Sequence, residues 1–130
     1  MYNKIIDHLF LGEFADVPFY MRDFPEGEIL CVLENRPEKE PPKAFQIPII
    51  DLQSFGYRVK EEQLGQTFKF INRMLSAGDD LLVHCMAGQE RSPLVVAYYL
   101  AHNYGITLDM AYKKVKKKRP QIFDRSDWII

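Results

Sequence analysis

Between Leu81 and Gly105 the chain passes from a short apolar stretch, through a tight polar loop, into a long apolar stretch. Leu81-Leu82-Val83 has the length and composition of a strand buried on both faces. A helix is expected from about Arg91, with Pro93 suited to its first turn and Gly105 to its end. Its run Leu94 to Ala101 is apolar on nearly all sides, so this helix must be central and covered. A buried strand that feeds a buried helix restricts the fold more than any other feature of the sequence.

The flanking segments extend the same pattern. Ile5-Ile6 and Leu9-Phe10-Leu11 read as strand pieces stopped by Gly12, and Ile29 to Leu33 as a strand buried on both faces. Phe45 to Ile50 is a further strand candidate, with Pro48 pointing to an edge or a strand end. Leu64, Phe68, Ile71 and Leu75 recur at helical spacing up to Gly78. Thr107 caps another helix whose Leu108, Ala111, Tyr112 and Val115 share a face, and Pro120 stops it. Asp124 to Ile130 is expected to form a last short helix. Glu34 to Lys43, with Pro37, Pro41 and Pro42 among charges, reads as a surface loop. Together these predict one α/β domain over residues 1–130, with a central, mainly parallel sheet of four to five strands flanked by helices.

Composition excludes several classes. At 130 residues, 47% hydrophobic and 27% charged, the chain is an ordinary globular domain that needs neither disulfide nor metal staple. A net charge of −1 gives no bulk attraction for nucleic acid or membrane. No apolar run reaches the ~20 residues of a membrane span, and no secretory leader is visible. The two cysteines, Cys31 and Cys85, make no disulfide framework, so a reducing cytoplasmic compartment is expected. Cys31 lies in an apolar run and reads as a buried small hydrophobe. His8 and His102 have no neighbours at metal-ligand spacing, so no metal is expected. Lys113 to Arg119 reads as the solvated face of a helix whose C-terminus favours cations.

The loop itself reads His84-Cys85-Met86-Ala87-Gly88-Gln89-Glu90-Arg91-Ser92, a cysteine and an arginine separated by five residues, between strand and helix. A loop that curls into a helix N-terminus aims several backbone N–H groups at one point, and the helix dipole adds to their attraction for an oxyanion. Gly88 keeps side-chain bulk out of that cradle. Arg91 can fork two donors onto two phosphate oxygens. The same field favours the thiolate of Cys85, which is the nucleophilic form. Ser92 is placed to donate its hydroxyl to the sulfur.

This segment resembles the signature loop of the cysteine-dependent protein tyrosine phosphatase superfamily, and its dual-specificity branch in particular. Ile6-Asp7-His8-Leu9-Phe10-Leu11-Gly12 is similar to the branch's opening strand, Ile47-Pro48-Ile49-Ile50-Asp51 to its strand before the general-acid loop, and Ala111 to Pro120 to its closing helix. The resemblance implies a phosphocysteine intermediate without cofactor. Cys85 attacks phosphorus; Arg91 and the amides of Met86, Ala87, Gly88, Gln89, Glu90 and Arg91 hold the phosphoryl oxygens. Asp51, 34 residues before Cys85, acts as acid and then base. His84 orients the cysteine backbone. Phe55, Tyr57 and Arg58 are expected to line the pocket. Glu90 departs from the pattern by bringing a carboxylate into the phosphate loop.

The implied substrates are phosphotyrosine and also phosphoserine or phosphothreonine of proteins, with the enzyme a monomer. A non-protein monoester (an RNA 5′ phosphate, a phosphoinositide or a sugar phosphate) is the alternative, as is a phosphate-binding module of weak activity. The loop carries no lysine, which disfavours highly charged substrates.

Overall fold

A computed structural model describes residues 1–51 and 56–130. Five strands form one sheet: β1 (Asn3–Ile6), β2 (Leu9–Glu13), β3 (Glu28–Cys31), β4 (Phe45–Gln46) and β5 (Leu81–Cys85). Their spatial order is β1-β2-β5-β3-β4. Only β1 is antiparallel to its neighbour; the other three pairings are parallel. The helices are α1 (Val17–Asp23), α2 (Glu61–Ser76), α3 (Arg91–Tyr104) and α4 (Leu108–Lys118). The mainly parallel α/β architecture is the one the sequence predicts.

β5 lies at the centre of the sheet and all five of its residues are buried. That is the reason for its unbroken apolar start. Strand alternation sorts the neighbouring side chains into two cores. Leu9, Leu11, Leu30, Leu81 and Val83 belong with the buried residues of α2, α3 and α4. Phe10, Ile29 and Leu82 pack with Val17 and Tyr20 around α1. α3 is buried continuously from Ser92 to Ala101, as its composition requires. It ends at Gly105, whose φ of 64° is a left-handed cap that a glycine adopts without strain.

Three expectations need correction. The strand over Phe45–Ile50 shrinks to Phe45–Gln46, because Pro48 lacks the N–H a ladder needs; Ile50 instead makes an isolated bridge to Val59. The last helix is a single 3₁₀ turn, Ser126–Trp128. Helix α1, with Pro18 in its first turn, is not anticipated by the sequence reading. Among the described residues no helix is long and apolar enough to cross a membrane.

Candidate active site

The loop begins where β5 ends and closes where α3 begins. Cys85 is buried, and its Sγ lies 3.1 Å from Oγ of Ser92 in the first turn of α3.

The carbonyls of the loop are held from outside. Nδ1 of His84 lies 3.1 Å from the Cys85 carbonyl. The backbone N–H of Phe14 donates to Met86 O at 3.1 Å, and that of Phe123 to Gln89 O at 2.8 Å. Between them, Arg119 donates from Nε to Gly88 O at 2.8 Å and from Nη2 to Ala87 O at 3.5 Å. Five consecutive carbonyls, Cys85 to Gln89, are therefore tied to surrounding framework. In a trans peptide the carbonyl of one residue and the N–H of the next point in opposite directions. Tying these carbonyls outward turns the N–H groups of Met86, Ala87, Gly88, Gln89 and Glu90 the other way. Among the described residues none of those five N–H groups donates to a protein acceptor. This is a nest of backbone donors ready for an anion.

Gly88 is required for the closure. Its φ is 65°, and a Cβ there would stand 2.7 Å from Gly12 O and 2.7 Å from Nη2 of Arg119.

Arg119 corrects a reading of the sequence. It is 1% exposed, not part of the solvated basic face. Besides the loop it donates to Met1 O at 2.6 Å and to Oδ1 of Asn3 at 2.8 Å. Burial pushes its pKa below the usual guanidinium value, while the field of Asp16, Glu13 and Cys85 opposes that shift. The neighbouring Lys113 to Lys118 lysines are exposed, as expected.

Arg91 is fixed by Glu34, whose Oε1 accepts from Nε at 2.7 Å. That contact leaves both terminal guanidinium nitrogens for a ligand. The Arg91 guanidinium carbon lies 5.7 Å from the centre of the Tyr57 ring, which stacks on Trp128 at 5.2 Å. Glu90 turns from Arg91 to Arg125, whose Nε donates to it at 2.8 Å. A groove of about 520 Å³ opens beside the loop, lined by Leu33, Glu34, Arg36, Met86 and Arg91 among others.

Asp51 stands at the neck of the segment that leads to Tyr57. Its N–H donates to Arg58 O at 2.7 Å, and its Oδ2 lies 3.6 Å from Nζ of Lys60. Phe55, expected in the pocket wall, lies outside the described residues.

His84 is fully buried. Its Nε2 is 2.9 and 3.0 Å from the two carboxylate oxygens of Glu40. Burial works against a charge on the ring, but the Cys31 sulfur and the Glu40 carboxylate outweigh it and hold the His84 pKa at about 10. Cys31, Glu40 and His84 bring three potential ligand atoms within 4.8 Å of one another. The ring–carboxylate distances are those of an N–H···O bond, so the geometry is that of a hydrogen-bonded pair and not of a metal centre. Cys31 pairs with His84 across the sheet. Strand alternation thus places its side chain on the face opposite Cys85, against a disulfide between the two.

Glu34, Glu40, Arg119 and Arg125 are missed by the sequence reading. Only Glu34 carried a signal: it follows the apolar run of β3, and in parallel sheets ligands gather at the carboxyl ends of strands.

The family description "Dual specificity phosphatase, catalytic domain" matches residues 28–129. Human dual specificity protein phosphatase 16 is 31% identical over 125 residues, covering 92% of this chain and 18% of that protein. Phosphatidylglycerophosphate phosphatase PTPMT1 of Arabidopsis thaliana is 32% identical over 74 residues, covering 57% of this chain and 22% of that protein. The chain thus spans about a fifth of the length of these curated relatives. The crystal structure of human DUSP28 superposes with a TM-score of 0.77 at 22% identity, over 97% of this chain and 89% of that one.

Proposed function

The chain belongs to the dual specificity phosphatase catalytic-domain family, and from that premise we propose that residues 1–130 act as one catalytic domain hydrolysing phosphate monoesters through Cys85. The observation that carries the reading is the run of five outward-tied carbonyls beside the buried Cys85 sulfur. It supplies unpaired N–H donors for the equatorial oxygens of a phosphoryl group.

In the first step Sγ of Cys85 attacks phosphorus. A P–S bond forms as the bond from phosphorus to the leaving oxygen breaks, and Asp51 gives that oxygen its proton. The terminal nitrogens of Arg91 and the loop amides take up the charge on the three remaining oxygens. In the second step Asp51 accepts a proton from water as the water attacks phosphorus. The P–S bond breaks, and the Ser92 hydroxyl, 3.1 Å from the sulfur, stabilises the departing thiolate. His84 holds the Cys85 carbonyl in place throughout. A reducing compartment such as the cytoplasm suits this thiol.

We assign phosphotyrosine of proteins as the preferred substrate, with phosphoserine or phosphothreonine second, acted on by a monomer. Tyr57 beside Arg91 offers an aromatic wall for a phosphoaryl group. The likeness to phosphatidylglycerophosphate phosphatase PTPMT1 favours a phospholipid monoester as the other reading. Against it, the loop has no lysine and Glu90 adds negative charge beside it.

The test is hydrolysis of an aryl phosphate with a metal chelator present, wild type beside Cys85→Ser. Turnover that survives chelation and vanishes in the variant supports the thiol mechanism. An inert, reduced and folded wild type refutes it. Rates on phosphotyrosyl peptide against phosphatidylglycerol phosphate then separate the two substrates.

A further inference from the structure

The segment from Glu34 to Lys43 reads as a solvated loop, yet Glu40 turns inward from it and its side chain is wholly buried. A buried carboxylate is costly unless its charge is matched. Its contact is Nε2 of His84, and among the described residues Oε1 has no other hydrogen-bond partner. The opposite ring nitrogen, Nδ1, faces the carbonyl of Cys85 at 3.1 Å. A carbonyl only accepts, so Nδ1 must carry hydrogen. One more proton is shared between Nε2 and the carboxylate. Imidazole is ordinarily the stronger base, about 6.5 against about 4.3 for a glutamic acid, which places that proton on the ring.

We propose that Glu40 is a positioning residue for the nucleophile: it keeps His84 as an imidazolium that donates to the Cys85 carbonyl and turns the positive end of the pair toward the sulfur-bearing residue. The assignment rests on the phosphatase reading only in calling Cys85 the nucleophile. The pair is oriented, with the ring next to Cys85 and the carboxylate beyond it, so its field favours negative charge on the sulfur. Among the described residues the titratable side chains that face the ring are Cys31 from β3 and Glu40 from the 34–43 segment; Cys85 meets the ring through its backbone carbonyl, and the Phe14 ring lies 5.9 Å away. None of these is a second cation.

Glu40→Gln is the informative change, because it preserves shape and lets a neutral ring keep both contacts. Nitrogen NMR of the His84 ring, assigned by its loss in His84→Asn, reads the charge directly. In wild type the ring is expected to stay an imidazolium from pH 6 to 9. In Glu40→Gln it is expected to be neutral by pH 8. The alkylation rate of Cys85 at pH 7, followed by peptide mapping to separate it from Cys31, is expected to fall about three- to tenfold in the variant. A neutral ring in wild type at pH 7.5 overturns the proposal, and so does an unchanged Cys85 alkylation rate in folded Glu40→Gln. If the variant does not fold, the wild-type NMR titration alone decides. Neither readout needs turnover. An inert wild type whose ring is charged would therefore remove the hydrolytic reading and leave this one standing.

Discussion

Arg119 is a buried cation that donates four hydrogen bonds to other parts of the chain. Replacing it with methionine keeps much of its volume and leaves the oxygens of Met1, Asn3, Ala87 and Gly88 without this donor. The expected loss of stability is about 3 kcal/mol, read from urea denaturation. Function should suffer further, because nothing would then hold the Ala87 and Gly88 carbonyls outward. Inhibition by inorganic phosphate should weaken by about tenfold in Arg119→Met. If phosphate inhibits the folded variant as well as wild type, the loop amides do not depend on Arg119. The turn from Cys85 to Arg91 was legible because a cysteine, glycine and arginine at fixed spacing between strand and helix need only local geometry to meet. Arg119 and Glu40 were not. Each lies in a charged, helical or proline-rich context that looks solvated, and only tertiary structure supplies the oxygens and ring nitrogen that bury them.

At the scale of elements, the segment carrying Asp51 is closed by the far end of the chain. Val59 receives a backbone bond at its carbonyl from Ile130 and donates one to Trp128 O, at 3.0 and 2.9 Å, while Asp51 and Arg58 close the neck at 2.7 Å. Trp128 stacks on Tyr57, and Arg125 lies over Trp128 while bonding Glu90. The proposed acid and the proposed phosphate loop are thus both braced by residues 125–130. Trp128→Ala should therefore slow esters with poor leaving groups, which need the acid, by about tenfold. Esters with good leaving groups should change by no more than about twofold. Equal losses on both would mean that Trp128 supports the fold and not the acid. Little of this was readable in advance. Asp124 to Ile130 reads as a short helix from sequence, yet pairing with Val59 draws its end into extended backbone after one 3₁₀ turn. Helix α1 was missed for the opposite reason: at seven residues it is too short for a periodic signal, and packing against Phe10 and Leu82 stabilises it.

Considered whole, the molecule buries a histidine on its central strand. His84 sits at the end of β5, flanked by β2 and β3 and covered by the 34–43 segment, so global unfolding is what hydrates it. Its folded pKa of about 10 lies above the unfolded value of about 6.5. A raised histidine pKa means the folded state binds the proton more tightly. The stabilisation is then complete below about pH 6.5 and is lost as pH rises toward 10. Across that window the slope approaches one proton, about 1.4 kcal/mol per pH unit. Tyrosines pushed upward by burial, Tyr2 to about 12 among them, act only above their ordinary value near 10, so they leave the window clear. Urea denaturation of wild type and Glu40→Gln at pH 6, 7.5 and 9 isolates the pair. The stability difference between the two should be largest at pH 6 and shrink as pH rises. A difference that grows with pH would mean that the folded pair binds fewer protons than the unfolded chain, as a neutral ring beside an ionised carboxylate would. The parallel sheet would then enclose no imidazolium, and the positive field at Cys85 would come from α3 and Arg91 alone.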